Sequence, residues 1–135
     1  MEKVWKYWDQ GMVITDFDYG GGTYVVVMSR VKGWREQRIR HDCVLPTFKI
    51  SQLRREGYYI TNVLYDGSDW IVIMTEVDYC ADQTCFICTR WSEFIGKINE
   101  GWEDRKVVTK LCCQIKRSYN KYLAVMTKFK DCSPE

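Results

Sequence analysis

The sequence predicts a mainly β protein of the α+β kind. It is read as three units of about 45 residues, each a helix, a hairpin and a further strand, in a closed pseudo-threefold barrel or propeller-like arrangement. Three observations carry that expectation. First, residues 2–42 lie over residues 48–88 without a gap, so that Trp8-Asp9-Gln10-Gly11 falls on Arg54-Arg55-Glu56-Gly57 and Gln37 falls on Gln83. A weaker third copy follows as Glu100-Gly101, Val107-Val108-Thr109 and Tyr122-Leu123-Ala124-Val125-Met126-Thr127. Second, turn chemistry stands in the middle of the first two copies, Gly20-Gly21-Gly22 and Asp66-Gly67-Ser68. Third, the runs after those turns, Thr23–Ser29 and Trp70–Thr75, are almost continuously apolar, as in strands buried on both faces. Closure follows as an expectation because open ends would expose sheet edges. A homodimer completing a larger ring is the alternative.

The units are placed at about 1–46, 47–90 and 91–130 of a single domain, with a polar tail from Lys128 to Glu135. In the first, Val4, Trp5 and Trp8 share a helix face and Gly11 ends the helix. Met12–Asp18 and Thr23–Ser29 then form the hairpin, and Glu36–His41 the third strand. The second helix is expected over Phe48–Glu56, after Pro46 and before Gly57. Its hairpin is Tyr58–Leu64 with Trp70–Thr75, and its third strand Gln83–Thr89. The third helix is expected over Ser92–Glu100, with Ser92 as its N-cap and Gly101 as its stop. An insertion, Trp102-Glu103-Asp104-Arg105-Lys106, comes next. This unit has no third strand of its own, so its second strand has to find a neighbour from elsewhere. Trp5, Trp8, Trp70 and Trp91 recur at related positions and are assigned to the core.

Composition restricts the function classes. The chain has 135 residues, 46% hydrophobic and 28% charged, which is ordinary for a globular domain. A net charge of +2 argues against nucleic acid as a partner. No apolar run is long enough to span a membrane. The N-terminal residues carry no signal-peptide pattern, so an intracellular place, cytoplasm or nucleus, is expected. The seven cysteines are then read as thiols.

Two strings carry a family resemblance: Trp8-Asp9-Gln10-Gly11-x-Val13-Ile14-Thr15, and Tyr24-Val25-Val26-Val27-Met28-Ser29-Arg30 with Gly33-Trp34-x-Glu36-Gln37. Together with Gly57-Tyr58-Tyr59-Ile60-Thr61, Pro46 and Ile50, they resemble the repeats in the C-terminal domain of plant casein-kinase-1-like, MUT9-type kinases. The kinase motifs themselves are absent: there is no glycine-rich phosphate loop, His-Arg-Asp or Asp-Phe-Gly. The resemblance implies an accessory, interaction-type role and transfers no catalytic residue.

Each chemical candidate competes with a simpler role. Cys80, Cys85 and Cys88 have spacings that zinc sites use. In a strand, however, Cys85 and Cys88 face opposite ways, and buried thiols are common. His41 beside Cys43 would give a base and a nucleophile, without a recognisable orienting group. Asp16, Asp18, Asp66, Asp69, Glu76, Asp78 and Asp82 offer carboxylate pairs, but Asp66 and Asp69 stand in a turn and the others read as solvated. Gly20-Gly21-Gly22 lies inside a hairpin and opens no helix, so it reads as a turn and not as a phosphate cradle. The best surface candidate is the basic cluster Arg30, Lys32, Arg35, Arg38 and Arg40 around Trp34, with Arg54-Arg55 second. The expected function is therefore a non-catalytic protein-interaction or scaffold module, with no cofactor and a protein partner. The alternative is a small-ligand or enzymatic domain using a cysteine, histidine or zinc site.

Overall fold

The computed structural model describes residues 2–116 and 118–130. The elements are α1 (Glu2–Trp8), β1 (Val13–Gly20), β2 (Thr23–Ser29), β3 (Trp34–Asp42), α2 (Thr47–Arg55), β4 (Tyr58–Tyr65), β5 (Trp70–Val77), β6 (Cys80–Cys88), α3 (Trp91–Glu103), β7 (Val107–Ile115) and β8 (Asn120–Phe129). The protein is mainly β. The chain falls into two compact units, Met1–Asp78 and Tyr79–Glu135, which divide between β5 and β6.

The strands form three separate antiparallel sheets: β1-β2, β3-β5-β4 and β6-β8-β7. The expected closed barrel or propeller is not what forms among the described residues. The reason is the way the third strands are used. β3 leaves its own hairpin and pairs with β5, and β6 pairs with β8. That supplies β8 with the neighbour its sequence needs, and leaves β1-β2 a two-stranded ribbon.

Local chemistry explains the hairpins. Gly21-Gly22 form a two-residue turn between the paired Gly20 and Thr23. Asp66 builds the second turn, its Oδ1 accepting from the Ser68 and Asp69 amides at 2.9 and 2.7 Å. Each first hairpin strand carries a bulge at a threonine, between Ile14 and Asp16, Ile60 and Asn62, and Val108 and Lys110. The extra residue turns its hydroxyl to the opposite strand. Thr15, Thr61 and Thr109 lie 3.3, 2.6 and 2.8 Å from the hydroxyls of Ser29, Thr75 and Thr127.

The helices differ from expectation mainly in α3. Gly11 and Gly57, both at positive φ, follow α1 and α2 as anticipated. Gly101 does not end α3, which runs on to Glu103 and absorbs Trp102 and Glu103 of the supposed insertion. Nor is Ser92 the N-cap: Arg90 is, with no side-chain cap bond. Gly101 is there for proximity, since a Cβ would stand 2.4 Å from the Met126 sulfur. The chain turns at Arg105, φ 63°, and Lys106 buries its stem while its ammonium meets Asp104 at 3.1 Å and Asp82 at 3.4 Å. Gly96 in the same helix is exposed with open space around it. Gly96→Ala is therefore expected to stabilise the unit by about 0.5–1 kcal/mol. Gly101→Ala should destabilise it by up to about 2.5 kcal/mol once overpacking of about 1–3 against the Met126 side chain is set against that same helix gain. Urea unfolding of the two variants checks the opposite signs.

Each unit has its own core. In the first, Val4, Ile14, Phe17, Leu64 and Ile73 cluster with Trp8, Val26 and Met28 against them. In the second, Phe94 and Ile98 of α3 lie on Cys88, Ala124 and Met126. Trp70 is fully buried, but Trp5 and Trp91 are 57% and 59% exposed and leave the core assigned to them. The tail also starts later than expected, because Lys128 and Phe129 belong to β8. Residues 131–135 of that tail lie outside the described residues.

Candidate functional site

Of the expected basic cluster, β3 carries Arg35, Arg38 and Arg40, and neighbouring carboxylates pair with the first two. β3 places Arg38 and Arg40 opposite Met74 and Val72. Arg35 pairs with Asp78 and, at 3.3 Å, with Glu76. Arg38 meets Glu36 at 3.2 Å and lies over the Tyr58 ring at 5.3 Å. Glu36 is held below the usual carboxylate range by the Tyr58 hydroxyl first and by Arg38 second. Arg40 donates to the Ile39 carbonyl. Trp34 is half-buried beside Arg35 and Arg38, at the rim of a shallow depression of about 430 Å3. Arg30 stands apart, exposed, with one bond to the Gln10 carbonyl. Lys32 is exposed too, and Arg54 lies over the Tyr59 ring.

The cysteine candidates do not converge. Along β6, Cys80, Cys85 and Cys88 stand opposite Phe129, Val125 and Tyr122. Three strand residues span about 10 Å, whereas thiolates sharing a zinc ion stand about 4 Å apart. No group of three histidine, cysteine or acidic side chains suited to a metal occurs among the described residues. Burial pushes the Cys85 thiol up to about 12 and raises Cys88 as well, Glu93 adding to the latter. Burial thus favours the protonated thiol at both positions, the opposite of what an activated thiolate requires. His41 lies 3.4 Å from Asp69, an acidic neighbour the sequence did not disclose. The Cys43 amide and thiol instead face Asp42, which they hold below its ordinary range. Iodoacetamide at pH 8 should modify the exposed Cys43 and Cys113 in the native protein and spare Cys80, Cys85 and Cys88 until it unfolds. Mass spectrometry of the digested protein reads the pattern.

The most unusual surface is the outer edge of β2. Its sequence, Thr23-Tyr24-Val25-Val26-Val27-Met28-Ser29, has the composition of a buried strand. The matching strands are buried, β5 along most of its length and β8 through its centre, Leu123–Thr127. β2 is not: Tyr24, Val25 and Val27 are 48%, 58% and 48% exposed, against the expectation from their apolar run. β2 pairs with β1 on one side and with no other strand among the described residues. It carries no charge, proline or bulge of the sort that protects an edge. The far edge of β1 is treated differently. There the Gln37 amide accepts from Ile14 N at 2.7 Å and donates to Ile14 O at 2.9 Å, and Asn62 donates to Phe17 O at 3.3 Å.

Side chains alternate along β2. Tyr24, Val26 and Met28 point into an open groove of about 870 Å3, whose other wall is Lys3, Val4 and Tyr7 of α1 with Met12. Val25 and Val27 are on the opposite face. The Tyr24 hydroxyl donates to Asp66, which lifts Tyr24 to about 12 and, with the Asp69 amide as the larger cause, holds Asp66 low. The Tyr24 ring is thus fixed at the mouth of the groove.

No family model, curated protein or solved structure matches the chain. No described helix is long and apolar enough to cross a membrane. The site has to be read from its own chemistry. Sequence reading missed the β2 edge because an apolar run signals burial, and whether burial is achieved depends on a neighbour. One signal was available: among the described residues no further strand follows the β7-β8 hairpin, so three hairpins share two such strands.

Proposed function

We propose that this chain is a non-catalytic protein-interaction module whose working surface is the outer edge of β2 and the groove beside it. The observation that supports the reading is an exposed, uncharged apolar edge strand next to an open groove, while the far edge of β1 is satisfied by buried amides. Edge strands of this kind bind extended segments through main-chain hydrogen bonds, with pockets for alternate side chains. The separation of Cys80, Cys85 and Cys88 along β6, and the burial that raises the Cys85 and Cys88 thiols, speak against the enzymatic alternative. The likeness to kinase tails is in keeping with an accessory role. The arginine cluster at Arg35, Trp34, Arg38 and Arg40 serves chiefly to hold β3 and β5 together in this reading, while Arg30 belongs to the edge.

The test is Val25→Lys combined with Val27→Lys. Both side chains are about half exposed, so stability should change by no more than about 0.5 kcal/mol each. Lysines on an edge obstruct strand addition. Extended peptides selected from a random display library on the native protein should lose binding to this variant, with the circular dichroism spectrum and melting temperature intact. Peptides that bind both forms equally would remove β2 from the function.

A further inference from the structure

We propose that β2 receives an antiparallel strand from a partner polypeptide with an acidic residue, then glutamine, then two residues, then a bulky apolar residue. This specifies the ligand class of the interaction reading and rests on it. The glutamine comes from both strands that occupy the equivalent edge elsewhere in the molecule, β3 on β5 and β6 on β8. The acid opposite a cation and the apolar residue come from β6 alone, since β3 has Arg40 opposite Val72 and Glu76 follows Thr75 on β5. On β8, Asp82 stands opposite Lys128, Gln83 opposite Thr127 and Phe86 opposite Ala124. Gln83 Nε2 donates to Thr127 Oγ1 at 3.0 Å. On β5, Gln37 stands opposite Thr75 and donates to its hydroxyl at 2.9 Å. In both, the hydroxyl that receives the amide is itself bonded to the bulge threonine of the hairpin, Thr109 or Thr61.

β2 presents the same sequence of acceptors. Ser29 Oγ lies 3.3 Å from Thr15 Oγ1 at its own bulge, in the place of the Thr127–Thr109 and Thr75–Thr61 pairs. Arg30 follows Ser29 as Lys128 follows Thr127, so an acid ahead of the glutamine would stand opposite a cation, as Asp82 stands opposite Lys128 while its carboxylate pairs with Lys106. Among the described residues Arg30 has no carboxylate partner, and its recorded bond is to a backbone oxygen. Val26 stands three residues before Ser29, as Ala124 stands before Thr127. On β8 the residue opposite Ala124 is Phe86, whose ring fills the space to α3 at 5.7 Å from Phe94. On β2 the corresponding space is the groove between Val26 and α1. An apolar side chain three residues beyond the glutamine would enter it. A second copy fits less well: its β6 is committed to β8, and its β2 carries neither acid nor glutamine.

The probe is a labelled synthetic peptide with the sequence of residues 81–89 and alanine at the two cysteine positions. It is titrated onto the full chain by fluorescence anisotropy, with hydrogen exchange locating the contact. Binding with new amide protection confined to β2 is expected. Replacing the peptide glutamine by leucine should weaken binding about fivefold, the worth of one net hydrogen bond. Ser29→Ala should weaken the glutamine peptide by a similar factor and leave the leucine peptide unchanged. Equal binding of both peptides through β2 would overturn the glutamine register and leave the interaction reading standing. No binding by either, nor by a scrambled peptide of the same composition, with β2 amides unprotected throughout, would overturn both. A concentration-dependent dimer with β2 protected would replace the partner strand by a second copy.

Discussion

Gln37→Leu is expected to destabilise the Met1–Asp78 unit by at least about 3 kcal/mol, a large part of the roughly 5–15 that holds a typical domain. The Gln37 amide is buried and fully used. Its oxygen accepts from the Trp8 indole at 2.9 Å and from Ile14 N, and its nitrogen donates to Ile14 O and to Thr75 Oγ1. It acts as a peptide group in side-chain form, closing the far edge of β1 where β3 does not pair with it. Leucine has nearly the same bulk and leaves two buried backbone groups and an indole N–H without partners, each costing about 1–3 kcal/mol. Thr75→Val removes one of the four bonds and should cost about 1–2 kcal/mol. Combined with Gln37→Leu it should be less than additive, because the two share a bond. Urea unfolding followed by tryptophan fluorescence measures all three.

Trp70→Ala is expected to cost about 3–5 kcal/mol. Its ring is 2% exposed and lies 5.1 Å from that of Tyr65, its cross-strand partner at the start of β5. Tyr24 holds the corresponding place at the start of β2, yet is half exposed, and Tyr24→Ala should cost no more than about 1–2 kcal/mol, chiefly its bond to Asp66 and its contacts with Phe17 and Tyr19. The contrast measures what a third strand contributes, because β3 pairs with β5 and no described strand pairs with the outer edge of β2. Thermal unfolding of the two variants tests it. Equal losses would mean that Tyr24 is as buried as Trp70.

Much of the fold was legible because much of it is local. Glycine pairs and Asp-Gly turns fix hairpins, and apolar runs fix strands, so Thr23–Ser29 was bounded to the residue. Gln37 and Gln83 also stand at matching positions inside β frames, a sign of a buried amide that alignment alone could have raised. What was not legible is non-local. Nothing in the period of β3 or β6 says which hairpin it will join. Closure was inferred from the cost of open edges, whereas one edge is closed by side-chain amides and another stays open. Gly101 reads as a stop, because a glycine that ends a helix and a glycine that admits a methionine look alike in sequence. The candidate arginines Arg35, Arg38 and Arg40 lie on one strand, as the sequence suggests, but Glu76 and Asp78, which pair with Arg35, come from another strand and its following turn.

The most direct test is native-state hydrogen exchange of the unliganded full chain. Alternate amides of Thr23–Ser29, those facing away from β1, should exchange orders of magnitude faster than those of Trp70–Val77 and Leu123–Thr127, which should exchange through global opening of their units. β2 amides as slow as those of β5 in a monomeric chain would mean that the edge is already covered, and would contradict a docking role for it.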